Sequence, residues 1–99
     1  MVDVLNIAKN AEIEVAIRSG VTLIKIVDAS KFLAEARRHN VRILGIEGFY
    51  LNDSTITPDM SAIADFSHVR TPLESINASE NFVMSVKGDG DYWVEFVLE

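Results

Sequence analysis

Four polar residues offer the strongest candidates for acid–base or nucleophilic chemistry: Glu47, Asp65, Ser67 and His68. His68 could act as a base beside Ser67 while Asp65 orients its ring, and two carboxylates in unequal environments can become an acid and a base. Adjacent residues rarely reach triad geometry, however, and the nucleophile-elbow pattern G-x-S-x-G is absent. We therefore predict no catalytic residue. A small hydrolytic or ligand-binding enzyme with a pocket at these four residues is the alternative function.

Metal and cofactor chemistry has little support in the residue types. The two histidines, His39 and His68, do not form a paired-ligand spacing such as H-x-x-x-H. The chain has no cysteine, which excludes a thiolate nucleophile and a Cys-ligated zinc site. The segment Gly45-Ile-Glu-Gly48 lacks the further glycine and the lysine of a phosphate-binding loop. We predict neither a metal site nor a cofactor.

A protein-binding surface fits the remaining residues better. Trp93 and Glu95 share one face of an alternating C-terminal strand, and Tyr50 lies opposite Phe49 in an earlier one. Exposed aromatic rings surrounded by acids are typical of interface contact residues, although half-buried sheet packing is the more common place for such rings. The candidate partner-binding residues are Tyr50, Asp89, Asp91, Trp93 and Glu95.

The charge is distributed unevenly along the chain. The 99 residues include 15 acids and 9 Lys or Arg, for a net charge of -6. Residues 1–42 carry seven basic and five acidic side chains, whereas residues 43–99 carry two and ten. This balance disfavours nucleic-acid binding, which needs a basic surface, and favours a basic protein partner. A solvated acidic surface that keeps the protein soluble is the alternative interpretation.

Three elements follow directly from the hydrophobic pattern. Asp28 is a good N-cap for a helix over residues 29–39, and Asn40 can adopt the left-handed conformation at its end. Residues 41–51 and 92–98 are rich in β-branched and aromatic side chains, which predicts two strands. Gly45 and Gly48 in the first of these strands indicate a bulge or a close approach of other backbone.

Three further segments are less clear. Residues 12–27 form either a hairpin of residues 12–17 and 21–27 after a helix over 3–10, or the end of one helix that runs to Ser19 and is capped by Gly20. Helix propensity slightly favours the single helix. Thr57-Pro58 predicts the start of a short helix. Thr71 and Glu74 have capping-box spacing, and residues 72–86 fit either a helix or a strand.

These elements predict a single α+β domain over residues 1–99. Its short sheet, mixed or antiparallel, packs against two to four helices. The N-terminal residues lack the basic start and apolar run of a secretory signal. No apolar stretch approaches the about 20 residues that a bilayer span requires. We therefore expect a cytoplasmic protein without membrane contact.

The order of these segments resembles that of the small bacterial immunity proteins that neutralise polymorphic or contact-dependent toxins. The resemblance covers the helix at 28–39 and the segment from Val41 to Tyr50, then residues 63–67, Glu74-Ser75 with Ala78 and Phe82-Val83, and the final strand. It implies a cytoplasmic inhibitor without catalytic activity. It also favours the helical interpretation of residues 72–85.

The leading hypothesis is therefore a small acidic protein-binding domain, an immunity-type inhibitor that caps a basic toxin surface. This hypothesis rests on the acidic residues 43–99 together with Trp93 and Tyr50. A third possibility is a homodimer in which the edge of the terminal strand 92–98 pairs across a two-fold axis.

Overall fold

The chain forms five strands and three helices. The computed structural model describes residues 3–52, 55–86 and 91–99. In chain order the elements are α1 (Val4–Asn10), β1 (Val15–Arg18), β2 (Val21–Lys25), a 3₁₀ turn (Ile26–Asp28), α2 (Ala29–Arg38), β3 (Ile43–Asn52), β4 (Thr55–Asp65), α3 (Pro72–Ser85) and β5 (Tyr92–Leu98).

The strands form one antiparallel sheet in the order β1-β2-β5-β3-β4. This arrangement confirms the predicted α+β class, with an antiparallel rather than a mixed sheet. The C-terminal strand β5 lies between β2 and β3. Its register with β2 pairs Trp93 and Val94 of β5 with Lys25 and Ile24. Homodimer formation through strand 92–98 stays a prediction.

The two faces of the sheet are packed differently. Tyr92, Val94 and Phe96 lie in the main core with residues of all three helices, and the Phe96 ring stacks on Phe32 of α2 with centroids 4.4 Å apart. On the other face a smaller buried cluster contains strand residues only: Leu23, Phe49 and Trp93. The side-chain alternation predicted for residues 92–98 is thus confirmed, and the described helices cover one face.

The N-terminal part of the chain contains the hairpin, so the preferred prediction of one helix to Ser19 is wrong. Strands β1 and β2 are joined by Ser19 at φ 52° and Gly20 at φ 78°. Two positive φ angles in a two-residue loop are what a type I′ turn requires. Pairing with β5 buries Leu23 and Ile24 completely, and that burial outweighs the helix propensity of the segment.

The short helix predicted at Thr57-Pro58 is also wrong, because these residues belong to strand β4. Pro58 pairs with Phe49 of β3, and β4 is an edge strand. A proline is tolerated at a sheet edge since its missing N–H removes no hydrogen bond from the interior of the sheet. Residues 60–62 have no partner on β3 and form a large bulge opposite Glu47 and Gly48.

Helices α2 and α3 agree with their predicted positions. Asn40 follows α2 with φ 55°, whereas Asp28 makes no capping hydrogen bond because its own backbone is already helical. At α3 the Glu74 backbone N–H donates to Thr71 Oγ1 at 3.1 Å, as the capping box predicts. The buried Ser75 Oγ accepts from the Ile43 N–H at 2.9 Å, which ties α3 to β3. No described helix combines the length and apolarity needed to cross a membrane.

Candidate functional site: an acidic face of the sheet

The helix-free face of the sheet presents charged and apolar side chains in two rows across β5, β3 and β4. Glu95, Glu47 and Ile63 form one row, and Val97, Gly45 and Asp65 form the next. We call the side chains of Glu47, Ile63, Asp65, Glu95 and Val97 the open face. Ile63 and Val97 remain 46% and 44% exposed. The open face therefore combines three carboxylates with accessible apolar surface.

Glu47 and Glu95 lie directly opposite each other on β3 and β5. Both side chains are half-buried, and none of the ion pairs formed within the described residues includes either of them. Burial raises the pKa of Glu95 above its ordinary value, and the charge of Glu47 raises it further. The free protein thus holds a like-charged pair that is unfavourable in a sheet.

Asp65 is the third carboxylate and stays readily ionised. The Ser67 backbone N–H donates to Asp65 Oδ1 at 2.9 Å. Hydrogen bonding by the Ser67 side chain, followed by that of its backbone, lowers the pKa of Asp65. Asp65 and Glu47 both line a shallow cavity of about 280 Å³ whose lining also includes Gly45. This cavity is a depression in the sheet beside the two carboxylates.

The structure brings together two of the four residues named for the alternative enzyme function. Glu47 and Asp65 share this cavity, but Ser67 and His68 do not line it. Ser67 and His68 are exposed in the turn after β4, and no hydrogen bond found in the described structure joins them. The nucleophile and base pairing that acyl-transfer chemistry needs is not assembled there.

The predicted partner-binding residues are divided between the two sides of the sheet. Glu95 lies on the open face, and Trp93 lies beside it but is 5% exposed in the cluster with Leu23 and Phe49. This is the sheet packing that the sequence left open for Trp93. Asp91 is exposed just before β5, and its carbonyl accepts from the Leu51 N–H at 3.0 Å. Asp89 lies outside the described residues.

Tyr50 lies on the helix side of the sheet, where sequence reasoning missed a polar cluster. Its ring meets Tyr92 edge to face with centroids 4.9 Å apart, and Tyr92 donates to Asp59 Oδ2 at 2.8 Å. Tyr50 and Asp59 line a cavity of about 380 Å³ at the C-terminal end of α3. A Cβ atom on Gly48 would collide with the Tyr92 hydroxyl, so the glycine gives the space for this hydrogen bond.

Gly48 is the sequence feature that could have indicated this polar cluster. Gly45 and Gly48 were expected to mark a bulge or a close approach of backbone, and both features are present: the register shifts between Glu47 and Gly48, and the Ala64 carbonyl lies against Gly45. At Gly48 the closely approaching group is the side chain of Tyr92. The helix predicted to start at Thr57-Pro58 would have placed Asp59 in its first turn. The bulge in β4 brings it to Tyr92 instead.

Comparison with known proteins adds no relative. No protein-family model, curated protein or solved structure matches the chain. In the part of the chain that the structure describes, no group of three or more His, Asp or Glu side chains is placed to hold a metal ion. The functional interpretation therefore depends on the geometry of the open face and its charges.

Proposed function

We propose that this protein is a small protein-binding domain that docks a basic protein through the open face, in the manner of an immunity-type inhibitor. The observation that carries the proposal is the Glu47 and Glu95 pair, held side by side without a cation among the described residues. Lysine or arginine side chains of a partner would turn this repulsion into attraction, which would increase both association rate and specificity.

The environment of the two carboxylates supports binding of a protein rather than a lone ion. Ile63 lies next to Glu47 across the strands, and Val97 is two residues from Glu95 on the same face. Interfaces commonly combine an apolar centre with charged groups at its rim. The depression at Gly45 adds a concave site into which a partner side chain can fit.

The proposal changes the predicted set of contact residues. Glu95 remains in it, and Glu47, Ile63, Asp65 and Val97 replace Tyr50, which lies on the other side of the sheet. The binding roles predicted for Asp91, Trp93 and Asp89 stay predictions. The cytoplasmic location expected from the sequence likewise stays a prediction.

Affinity capture with charge variants tests this function. The wild-type protein and Glu47→Lys would be used as baits in a lysate of the source organism, with Glu12→Lys as a control of equal charge change. The lysine introduced by Glu47→Lys would face Glu95 and remove the repulsion in the sheet, so this variant is expected to fold at least as stably as the wild type. Lost binding would then not arise from misfolding.

We expect the wild type and Glu12→Lys to retain the same basic protein. Glu47→Lys should bind the purified partner about tenfold or more weakly, because a like-charge contact at an interface costs several kcal/mol. Glu12 is exposed and outside the open face. A partner that is acidic, or one that binds all three baits equally, would contradict the proposal.

A further inference from the structure

The cavity beside Tyr50 has the features of a site for a small cation. It lies between the end of α3 and the β4 bulge, on the side of the sheet opposite the open face. Its lining includes Tyr50, Asp59 and Ser61 from the strands and Phe82 and Ser85 from α3. The site is therefore independent of the proposed protein-binding surface, and either can exist without the other.

Asp59 gives this cavity a fixed negative charge. Its Oδ1 accepts from the Ser61 hydroxyl at 2.7 Å and from the Ser61 backbone N–H at 3.1 Å, while Oδ2 accepts from the Tyr92 hydroxyl. These hydrogen bonds, the one from the Ser61 side chain first, lower the pKa of Asp59. The carboxylate is consequently ionised and oriented before any ligand arrives.

Two other features of the cavity favour positive charge. The last turn of α3 contains no basic residue, whereas the last turn of α2 contains Arg37 and Arg38. The negative end of the α3 dipole therefore has no cationic side chain in its own last turn. The Tyr50 ring is 43% exposed and offers an aromatic surface for a cation–π contact.

We propose that this cavity binds a primary ammonium group supplied from outside the chain. A carboxylate has about four acceptor positions, and three are already used. Both positions on Oδ1 are taken by Ser61, which leaves one on Oδ2. A guanidinium fork needs both oxygens, whereas an ammonium needs one acceptor here and can donate its other protons to hydroxyl or carbonyl oxygens nearby.

The first test is a titration of the isotope-labelled protein with n-butylammonium chloride at constant ionic strength, followed by NMR. We expect saturable shifts of the Tyr50, Ser61 and Ser85 resonances, with weaker binding of methylguanidinium and none of 1-butanol. Asp59→Asn should weaken ammonium binding about tenfold or more, the usual effect of losing a charge-assisted hydrogen bond. Tyr50→Leu should weaken it severalfold, and circular dichroism checks that the fold is kept, because the Tyr50 ring also contacts Tyr92.

Asp3→Asn is the matched control, because Asp3 also accepts a backbone N–H, from Asn6 at 2.9 Å, yet lies outside both this cavity and the open face. Asparagine is an equally good helix N-cap, so α1 should be unaffected. The ammonium affinity of Asp3→Asn should equal that of the wild type. Absence of saturable binding, equal binding by Asp59→Asn, or preference for methylguanidinium would overturn the proposal.

Two sources of the ammonium group are distinguished by further arms of the titration. The peptide acetyl-Gly-Lys-Gly-amide represents a lysine side chain, and n-butylammonium represents a free amine; binding of either supports an external ammonium ligand. Lys87 follows α3 closely in the sequence. Lys87→Gln should bind n-butylammonium as the wild type does. Binding seen only in Lys87→Gln would assign the cavity to the chain's own lysine and overturn the proposal.

Discussion

Glu47 and Glu95 face each other across β3 and β5, whereas several other described acids face a cation. Arg37 contacts Glu80 at 2.8 Å, and Arg42 contacts Glu99 at 3.4 Å. Like charges placed directly opposite in a sheet reduce stability. The pair therefore does not serve the stability of the free protein, and the proposed docking of a basic partner would give it a role.

Removing one of these charges is expected to stabilise the free protein. Glu47→Gln should raise the free energy of unfolding by about 0.5 kcal/mol near pH 7, since the repulsion from Glu95 disappears. Urea unfolding followed by circular dichroism measures this difference. Glu12→Gln, at an exposed site outside the open face, should change the free energy less.

The stability gained by Glu47→Gln should depend on pH in a defined direction. The folded pKa of Glu95 is raised, so its contribution to stability is present below its unfolded pKa and is lost as pH rises through the folded value. The benefit of Glu47→Gln should therefore be small near pH 4 and grow towards pH 7. A destabilised variant, or a gain that is the same at both pH values, would show that the two carboxylates do not repel each other.

Among the secondary-structure elements, two threonines with similar sequence signals have different roles. Thr71 caps α3, whereas Thr57 lies in strand β4. Thr71→Val should lower the free energy of unfolding by about 1 kcal/mol through loss of the cap. Thr57→Val keeps a β-branched side chain and should stay within about 0.5 kcal/mol of the wild type. Equal losses in chemical unfolding of the two variants would contradict this assignment.

The elements that sequence predicts well are those with strong local signals. Helix α2 has its apolar stripe and Asn40, and β5 is rich in aromatic and β-branched residues. The hairpin β1–β2 was not the preferred prediction, because its residues favour a helix when considered alone. It forms because β2 pairs with β5, about 70 residues away in the chain. Strand β4 was not predicted, because Thr57-Pro58 is compatible both with the start of a helix and with an edge strand of a sheet.

The candidate site, too, was predictable from sequence only where its features depend on neighbouring residues in the chain. The alternation in β5 places Glu95 on the face opposite Phe96, and sequence supports that directly. Its pairing with Glu47 depends on the register between β3 and β5, which no local pattern specifies. The contact of Tyr92 with Asp59 likewise depends on the bulge in β4 and on the space above Gly48.

At the scale of the whole molecule, the acidic second part of the chain divides into groups with different environments. Glu80 and Glu99 pair with arginines of the first part, and Asp59 is held in the cavity beside α3. Glu47, Asp65 and Glu95 share the open face without a cation partner among the described residues. Three acids of the second part thus lie together on one side of the sheet, and other described acids are distributed elsewhere.

The most direct test of that surface is methyl NMR of the labelled protein with and without the basic partner recovered by capture. Ile63 and Val97 report on the open face, and the exposed Leu73 and Met84 report on α3. We predict that the partner shifts or broadens the methyl signals of Ile63 and Val97 and leaves those of Leu73 and Met84 unchanged. The reverse pattern would place the partner on the helices and contradict the proposed docking surface.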